Sequence, residues 1–326
     1  MNVHRRVLPL LLLGPPVLAQ PAGGFDAFLL GIRREAQAAG VSVGMLNRAL
    51  ANIRPNDRVL ELDRRQAEFT QSWEGYRDGR LSASRIENGR RAYAANRGLL
   101  AQVQGRTRVA AGTIMGVWGL ETGYGSFTGS FNVIEALATL AWDGRRSAYF
   151  RAELLAALRI LEAGHIAPER MRGSHAGAMG QPQFMPTSFE RLAMDFDGDG
   201  RRDIWDNRAD ALGSIGNYLA RSGWREGEGW GFEVVLPAGF DPGFAEPSRP
   251  RPAAEWPSLE QWARMGIRRV NGAALGTGQG ALIIPANQES GMQAFMALPN
   301  FHAIRRYNPS TFYALTVGML GDRVVA

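Results

Sequence analysis

The chain contains no cysteine and no lysine. Without cysteine there are no disulfides, no thiolate metal ligands and no N-terminal cysteine to carry a lipid. Without lysine, every one of the 37 basic side chains is an arginine. Biased codon usage accounts for this, and so does contact with an anionic polymer such as nucleic acid or cell wall. No nucleic-acid-binding motif supports the first of those polymers. Past the N-terminus, no apolar run is long enough to cross a membrane. What is present is ordinary for a globular protein: 326 residues, 45% hydrophobic, 21% charged, net charge +6. That length suits one large domain or two to three small ones.

The N-terminus reads as a secretory signal, residues 1–19. His4, Arg5 and Arg6 precede the short apolar run VLPLLLLGPPVL, and Val17-Leu18-Ala19 before Gln20 has the form of a cleavage site. The expectation is an exported, periplasmic protein, soluble after cleavage, with no stable membrane anchor.

TRVAAGTIMGVWGLETGYG, residues 107–125, reads as an apolar helix ending at Gly123 and Gly125. Glu121 lies in its last turn. The C-terminal end of a helix dipole is negative, and apolar neighbours desolvate the group. Both favour the protonated carboxyl, which is what a general acid needs. A core Glu that only accepts hydrogen bonds is the competing reading.

Around this helix, periodicity predicts a mainly α chain with a small inserted antiparallel β domain, α+β overall. Residues 20–96 read as a helical domain completed by 299–326. Within it, Trp73 and Tyr76 share a helix face, for core packing or sugar stacking. Residues 97–227 form the core of the chain. Two amphipathic helices follow Glu121, with Arg145 and Arg146 at the solvated start of the second. GSHAGAMGQPQFMPTSF, 173–189, is either a tight packing joint or a loop presenting Ser174 and Gln183. In 228–298, GFEVVLP, RRVNGA and ALIIPA read as strands, and GTGQG as a hairpin turn. The chain closes on a helix over 307–324, capped by Asn308 or Ser310.

DFDGDGRRDIWD, 195–206, follows the calcium EF-hand loop. Asp195, Asp197 and Asp199 take positions 1, 3 and 5, Gly200 the sharp turn at 6, the Arg201 carbonyl 7, and Asp203 position 9. Position 12 is Asp206 in place of Glu, a shorter reach, so Asp210 in the following helix competes as the last ligand. A single, unpaired loop of this kind argues for one structural ion.

GVWGLETGYG, GAMGQPQFMPTSF, DFDGDGRRDIWD and NFHAIRRYNPSTFYA, in this order, resemble the B family of lytic murein transglycosylases, and the resemblance covers nearly all the chain beyond the signal. It implies a lysozyme-like catalytic core and one structural Ca2+. It also implies cleavage of peptidoglycan glycan strands between N-acetylmuramic acid and N-acetylglucosamine. By this resemblance Glu121 is the single acid/base. Ser174 and Gln183 line sugar subsites, Arg145 and Arg146 lie near the peptide stems, and Tyr76, Tyr218, Tyr307, Asn308 and Tyr313 belong to the groove. Two alternatives stand beside it: a muramidase-type hydrolase with a second carboxylate (Asp143, Glu135 and Glu153 are near in sequence), and a non-catalytic peptidoglycan-binding protein.

Overall fold

The computed structural model describes residues 24–65, 71–246, 251–289 and 291–326. The signal expected at 1–19 lies outside the described residues. At the centre, two helices meet backbone to backbone. These are α6 (Ala111–Thr122) and α13 (Thr311–Val325). Small residues make the approach possible. A Cβ on Gly116 would stand 2.1 Å from the Val317 carbonyl oxygen, and one on Gly321 would stand 2.3 Å from that of Gly112. The run of α6 from Thr113 to Gly119 is buried without a break, which is why its sequence is apolar all round and not amphipathic.

The other helices fall into two runs along the chain. Along the first part of the chain run α1 (Gly24–Ala38), α2 (Val43–Ala49), α3 (Asp57–Arg65), α4 (Trp73–Arg80) and α5 (Ala83–Thr107). After α6 come α7 (Val133–Asp143), α8 (Ser147–Glu162), α9 (Pro186–Leu192) and α10 (Arg208–Arg221). Ile32, Leu46 and Val59 from α1–α3 join Leu137, Leu154, Leu158 and Phe189 in one apolar cluster. A second cluster gathers Trp73, Leu100, Ile114, Trp118, Ile215 and Leu315. Residues 24–65 thus share a core with α7–α9, whereas α13 shares one with α4, α5 and α6. Trp73 is wholly buried, and its indole N–H donates to Gln293 Oε1 at 2.6 Å, so of its two readings the core-packing one holds.

The expected β segment is a four-stranded antiparallel sheet of β3 (Gly231–Val235), β4 (Arg268–Arg269), β5 (Ala281–Ile283) and β6 (Ala294–Ala297), in the order β4-β3-β6-β5. A two-stranded ladder of β1 (Phe131–Asn132) and β2 (Arg172–Gly173) lies apart from it. Val234, Met296 and Leu282 pack on α11 (Leu259–Arg264) through Leu259 and Trp262, a third cluster. The C-terminal segment is two helices, not one: α12 (Asn300–Tyr307) precedes α13. Asn308 ends the first. Ser310 caps the second, accepting from the Tyr313 N–H.

Candidate active site

Glu121 occupies the penultimate position of α6, and Gly123 closes the helix in the left-handed conformation at φ +56°. The α6–α13 crossing carries Tyr313, 192 residues further on, to the carboxylate: its hydroxyl donates to Glu121 Oε1 at 2.6 Å. The other oxygen, Oε2, has no protein partner among the described residues. Burial pushes the Glu121 pKa from 4.5 up to about 7, against the Tyr313 hydrogen bond, which pulls it down. Neither cause is a neighbouring carboxylate. Burial first, then the Glu121 charge, raises the Tyr313 phenol well above its ordinary range, so it stays a donor.

An aromatic cluster joins α10, α12 and the 173–189 segment. The Tyr218 and Tyr307 rings lie 4.5 Å apart, and Phe184 is tilted against them at 5.6 and 5.9 Å. The Tyr307 hydroxyl donates to the Pro182 carbonyl and that of Tyr218 to the Arg306 carbonyl, each at 2.6 Å. Burial, then the Glu121 charge, raises the Tyr307 pKa; burial also raises that of Tyr76, where the charges of Arg80 and Glu121 act in opposite directions. Tyr76 packs on Phe312, the residue before Tyr313, at 5.6 Å.

The 173–189 segment is a chain of tight turns. Ser174 Oγ accepts from the N–H groups of Ala176 and Ala178, at 3.3 and 3.0 Å. Gln183, in the left-handed region at φ +52°, donates through Nε2 to the carbonyls of Thr128 and Gly180. Gln181 fastens this segment to α6. Its Oε1 accepts from Trp118 Nε1 at 3.0 Å, and its carbonyl accepts from Thr122 Oγ1 at 3.0 Å. Its Nε2 donates to the Trp205 carbonyl at 3.0 Å. The loop that carries Ser174 and Gln183 is therefore locked to the helix end that carries Glu121.

Arg145 and Arg146 both bind Asp63, which is only 4% exposed; Arg146 reaches it at 2.5 Å. About half of each guanidinium side chain remains open to solvent. Asn308 accepts from the Ser310 N–H at 3.0 Å through its side chain.

In the acidic loop, carboxylate oxygens of Asp195, Asp197 and Asp210 lie within 4.8 Å of one another. Asp210 is fully buried, and burial raises its pKa ahead of the charges of Asp197 and Asp195. It accepts from the N–H groups of Phe196 and Asp203, at 2.7 Å each, which ties the loop to α10. Asp206 turns away to Arg170, and Asp199 pairs with Arg201 at 3.0 Å. Asp203 accepts from the N–H groups of Trp205 and Asp206. Three hard oxygens held this closely suit a cation such as calcium.

The family model described as Transglycosylase SLT domain matches residues 24–322. The chain belongs to that family. The Escherichia coli membrane-bound lytic murein transglycosylase B is 34% identical over 294 residues, 86% of this chain and 77% of the relative. SltB3 of Pseudomonas aeruginosa, solved in complex with NAG-anhNAM-pentapeptide, superposes with a TM-score of 0.87 at 43% identity, over 94% of this chain and 80% of that one. Escherichia coli Slt35, solved in complex with calcium, gives 0.76 at 31% identity, over 92% of each chain. The expected lysozyme-like, mainly α fold is thereby established.

The protein is thus a lytic transglycosylase, and the structure brings the expected Tyr313 onto Glu121 and packs Tyr76 on Phe312 beside it. Sequence reasoning missed two supporting residues. Gln181 sits beside the singled-out Gln183 in the same QPQ step, and only the buried contacts tell them apart. Asp63 lies in a charge-rich stretch, EL-D-RR, where nothing marks one acid as buried.

Proposed function

We propose that the site cleaves the β-1,4 bond between N-acetylmuramic acid and N-acetylglucosamine in peptidoglycan without water, through Glu121 alone. Glu121, protonated near neutral pH, gives its proton to the glycosidic oxygen as the bond to the muramic C1 breaks. The substrate's own N-acetyl group meets the positive charge at C1. Glu121, now a carboxylate, takes the proton of the muramic C6 hydroxyl while that oxygen closes on C1. The products are a free N-acetylglucosamine 4-hydroxyl and a 1,6-anhydro-N-acetylmuramic end, and Glu121 ends protonated as it began. Tyr313 holds one carboxylate oxygen and leaves the other for the substrate. The observation that carries this reading is the Glu121 carboxyl at the end of α6, held by the Tyr313 hydroxyl at 2.6 Å with no second carboxylate bonded to it, where burial pushes its pKa up.

A water-using hydrolase needs a second acid, and the three candidates are engaged elsewhere. Glu153 accepts from the N–H and hydroxyl of Thr187, Glu135 from Asn56, and Asp143 from Arg64. Ser174, Gln183, Tyr218, Tyr307, Asn308 and Tyr76 are proposed to line the glycan groove. Arg145 and Arg146, buttressed by Asp63, are proposed to face the peptide stems. The pentapeptide in the SltB3 complex supports a stem-bearing substrate.

Asp195, Asp197 and Asp210 would hold a structural calcium ion. Asp199, the Arg201 carbonyl and Asp206 are further ligands only if the loop closes around it. The bound ion supplies the positive charge that three adjacent carboxylates call for. We infer export to the periplasm. No helix among the described residues is long and apolar enough to cross a membrane. Glu121→Gln tests the proposal: the variant should fold and bind glycan, yet lose about a hundred- to ten-thousand-fold in turnover. Retained turnover would overturn it.

A further inference from the structure

Some arginines have an acid to bind: Arg145 and Arg146 share Asp63, and Arg77 holds Asp78. Arg80 and Arg85 differ. Arg80, the last residue of α4, lays its guanidinium over the Tyr76 ring, 3.7 Å from the centroid. Arg85, third in α5, donates to the Arg80 carbonyl at 3.2 Å. Among the described residues neither has a carboxylate within ion-pair distance. Asp78, the nearest acid in sequence to Arg80, is taken by Arg77, and Glu87, the nearest to Arg85, by Arg91.

Arg85 is also badly placed for its own helix. The first turn of α5 contains no acid, and a cation there opposes the positive end of the helix dipole. A stacked guanidinium keeps its N–H edge for a planar anion. Both arginines are half-buried, and they reach the site through Tyr76, which packs on Phe312 next to Tyr313. Tyr313 in turn binds Glu121. The Tyr76 hydroxyl feels the charges of Arg80, Glu121 and Arg85 together, whereas neither arginine is among the causes that set the Glu121 pKa. The pair is thus tied to Tyr76 and not to the Glu121 carboxylate itself.

We propose that Arg80 and Arg85 form a cationic subsite that binds a carboxylate of the peptide stem on the muramic sugar. This rests on the substrate reading above. Peptide stems end in a carboxylate, whereas the N-acetylated sugars around the scissile bond are neutral. The subsite thus reads whether a strand carries acidic stems.

The test measures binding to the Glu121→Gln protein, so that it does not depend on turnover or on product type. Three purified glycan strands serve as probes: with pentapeptide stems, stripped of stems with the freed lactyl carboxylates amidated, and with stem carboxylates amidated. Acidic-stem strands should bind about tenfold more tightly than either of the others, the scale of one charge-assisted hydrogen bond. Adding Arg80→Gln and Arg85→Gln should lower the ratio several-fold, to the part that Arg145 and Arg146 supply, and Arg85→Lys should restore part of the loss. Arg85→Gln alone should raise the melting temperature slightly, because a cation leaves a helix start, while reducing the preference about threefold. An unaltered ratio in the double variant, equal weakening on all three strands, or equal affinity for acidic and amidated stems would each overturn the subsite. Failure to bind any strand would instead overturn the glycan reading on which it rests.

Discussion

Replacing Glu121 by Gln should make the protein more stable, and the gain should depend on pH in a set way. The folded carboxyl titrates at about 7, the ordinary one at 4.5. Below pH 4.5 both folded and unfolded chains hold the proton, and the group contributes no pH dependence. Between 4.5 and 7 the unfolded chain releases it first, so stability falls as pH rises. Above 7 both states are ionised and the loss is complete. At about 1.4 kcal/mol per pH unit, the wild type loses about 3 kcal/mol across this window. Glutamine does not titrate, so the variant escapes the loss. The altered hydrogen bond to Tyr313 adds a constant offset, and every other titrating group cancels in the comparison. Urea unfolding of both proteins from pH 4 to pH 8 measures the difference directly. The stability difference should grow in favour of the variant by about 3 kcal/mol, nearly all of it between pH 4.5 and 7. Parallel stability curves would show that Glu121 is solvated and ordinary, and would remove the physical basis for its role as an acid.

Tyr313→Phe removes the hydrogen bond that pulls the Glu121 pKa down. The alkaline limb of the kcat/KM profile should move to higher pH, and a downward movement would contradict the assignment. Chelation should lower the melting temperature and calcium restore it, with about 2.7 kcal/mol of stabilisation at a hundredfold excess over Kd. Asp197→Ala should abolish the response, and a wild-type melting curve indifferent to chelator would count against the ion. Glu153→Gln breaks charge-assisted bonds to Thr187 and should cost about 1–3 kcal/mol of stability while glycan cleavage persists. A folded Glu153→Gln as inactive as Glu121→Gln would instead favour a two-carboxylate hydrolase.

The legible parts of this molecule are those written in short stretches of sequence. The Glu121 environment could be read locally, because an apolar helix ending at glycine creates both burial and an unfavourable dipole within one turn. The acidic loop was legible for the same reason: its turns are made by its own residues, Asp195 accepting from the N–H groups of Gly198 and Gly200. Reach across the chain was not legible. Tyr313 meets Glu121 only because Gly116 and Gly321 let two distant helices touch. The competition between Asp206 and Asp210 turns on Arg170, outside the loop, which draws Asp206 away. In the sheet, β6 escaped notice although it lies between β3 and β5. AFMA is buried on both faces, so it shows no alternation, and Ala and Met favour helices. GFEVVLP, with β-branched residues and turn signals, was visible.

The central claim is that one glutamate serves as both acid and base and that no water enters the product. Digestion of purified peptidoglycan in heavy-oxygen water, with mass spectrometry of the released muropeptides, measures this most directly. The account predicts muramic ends lighter by one water than reducing ends and free of the heavy isotope, with none released by Glu121→Gln. Reducing ends labelled with solvent oxygen would contradict it.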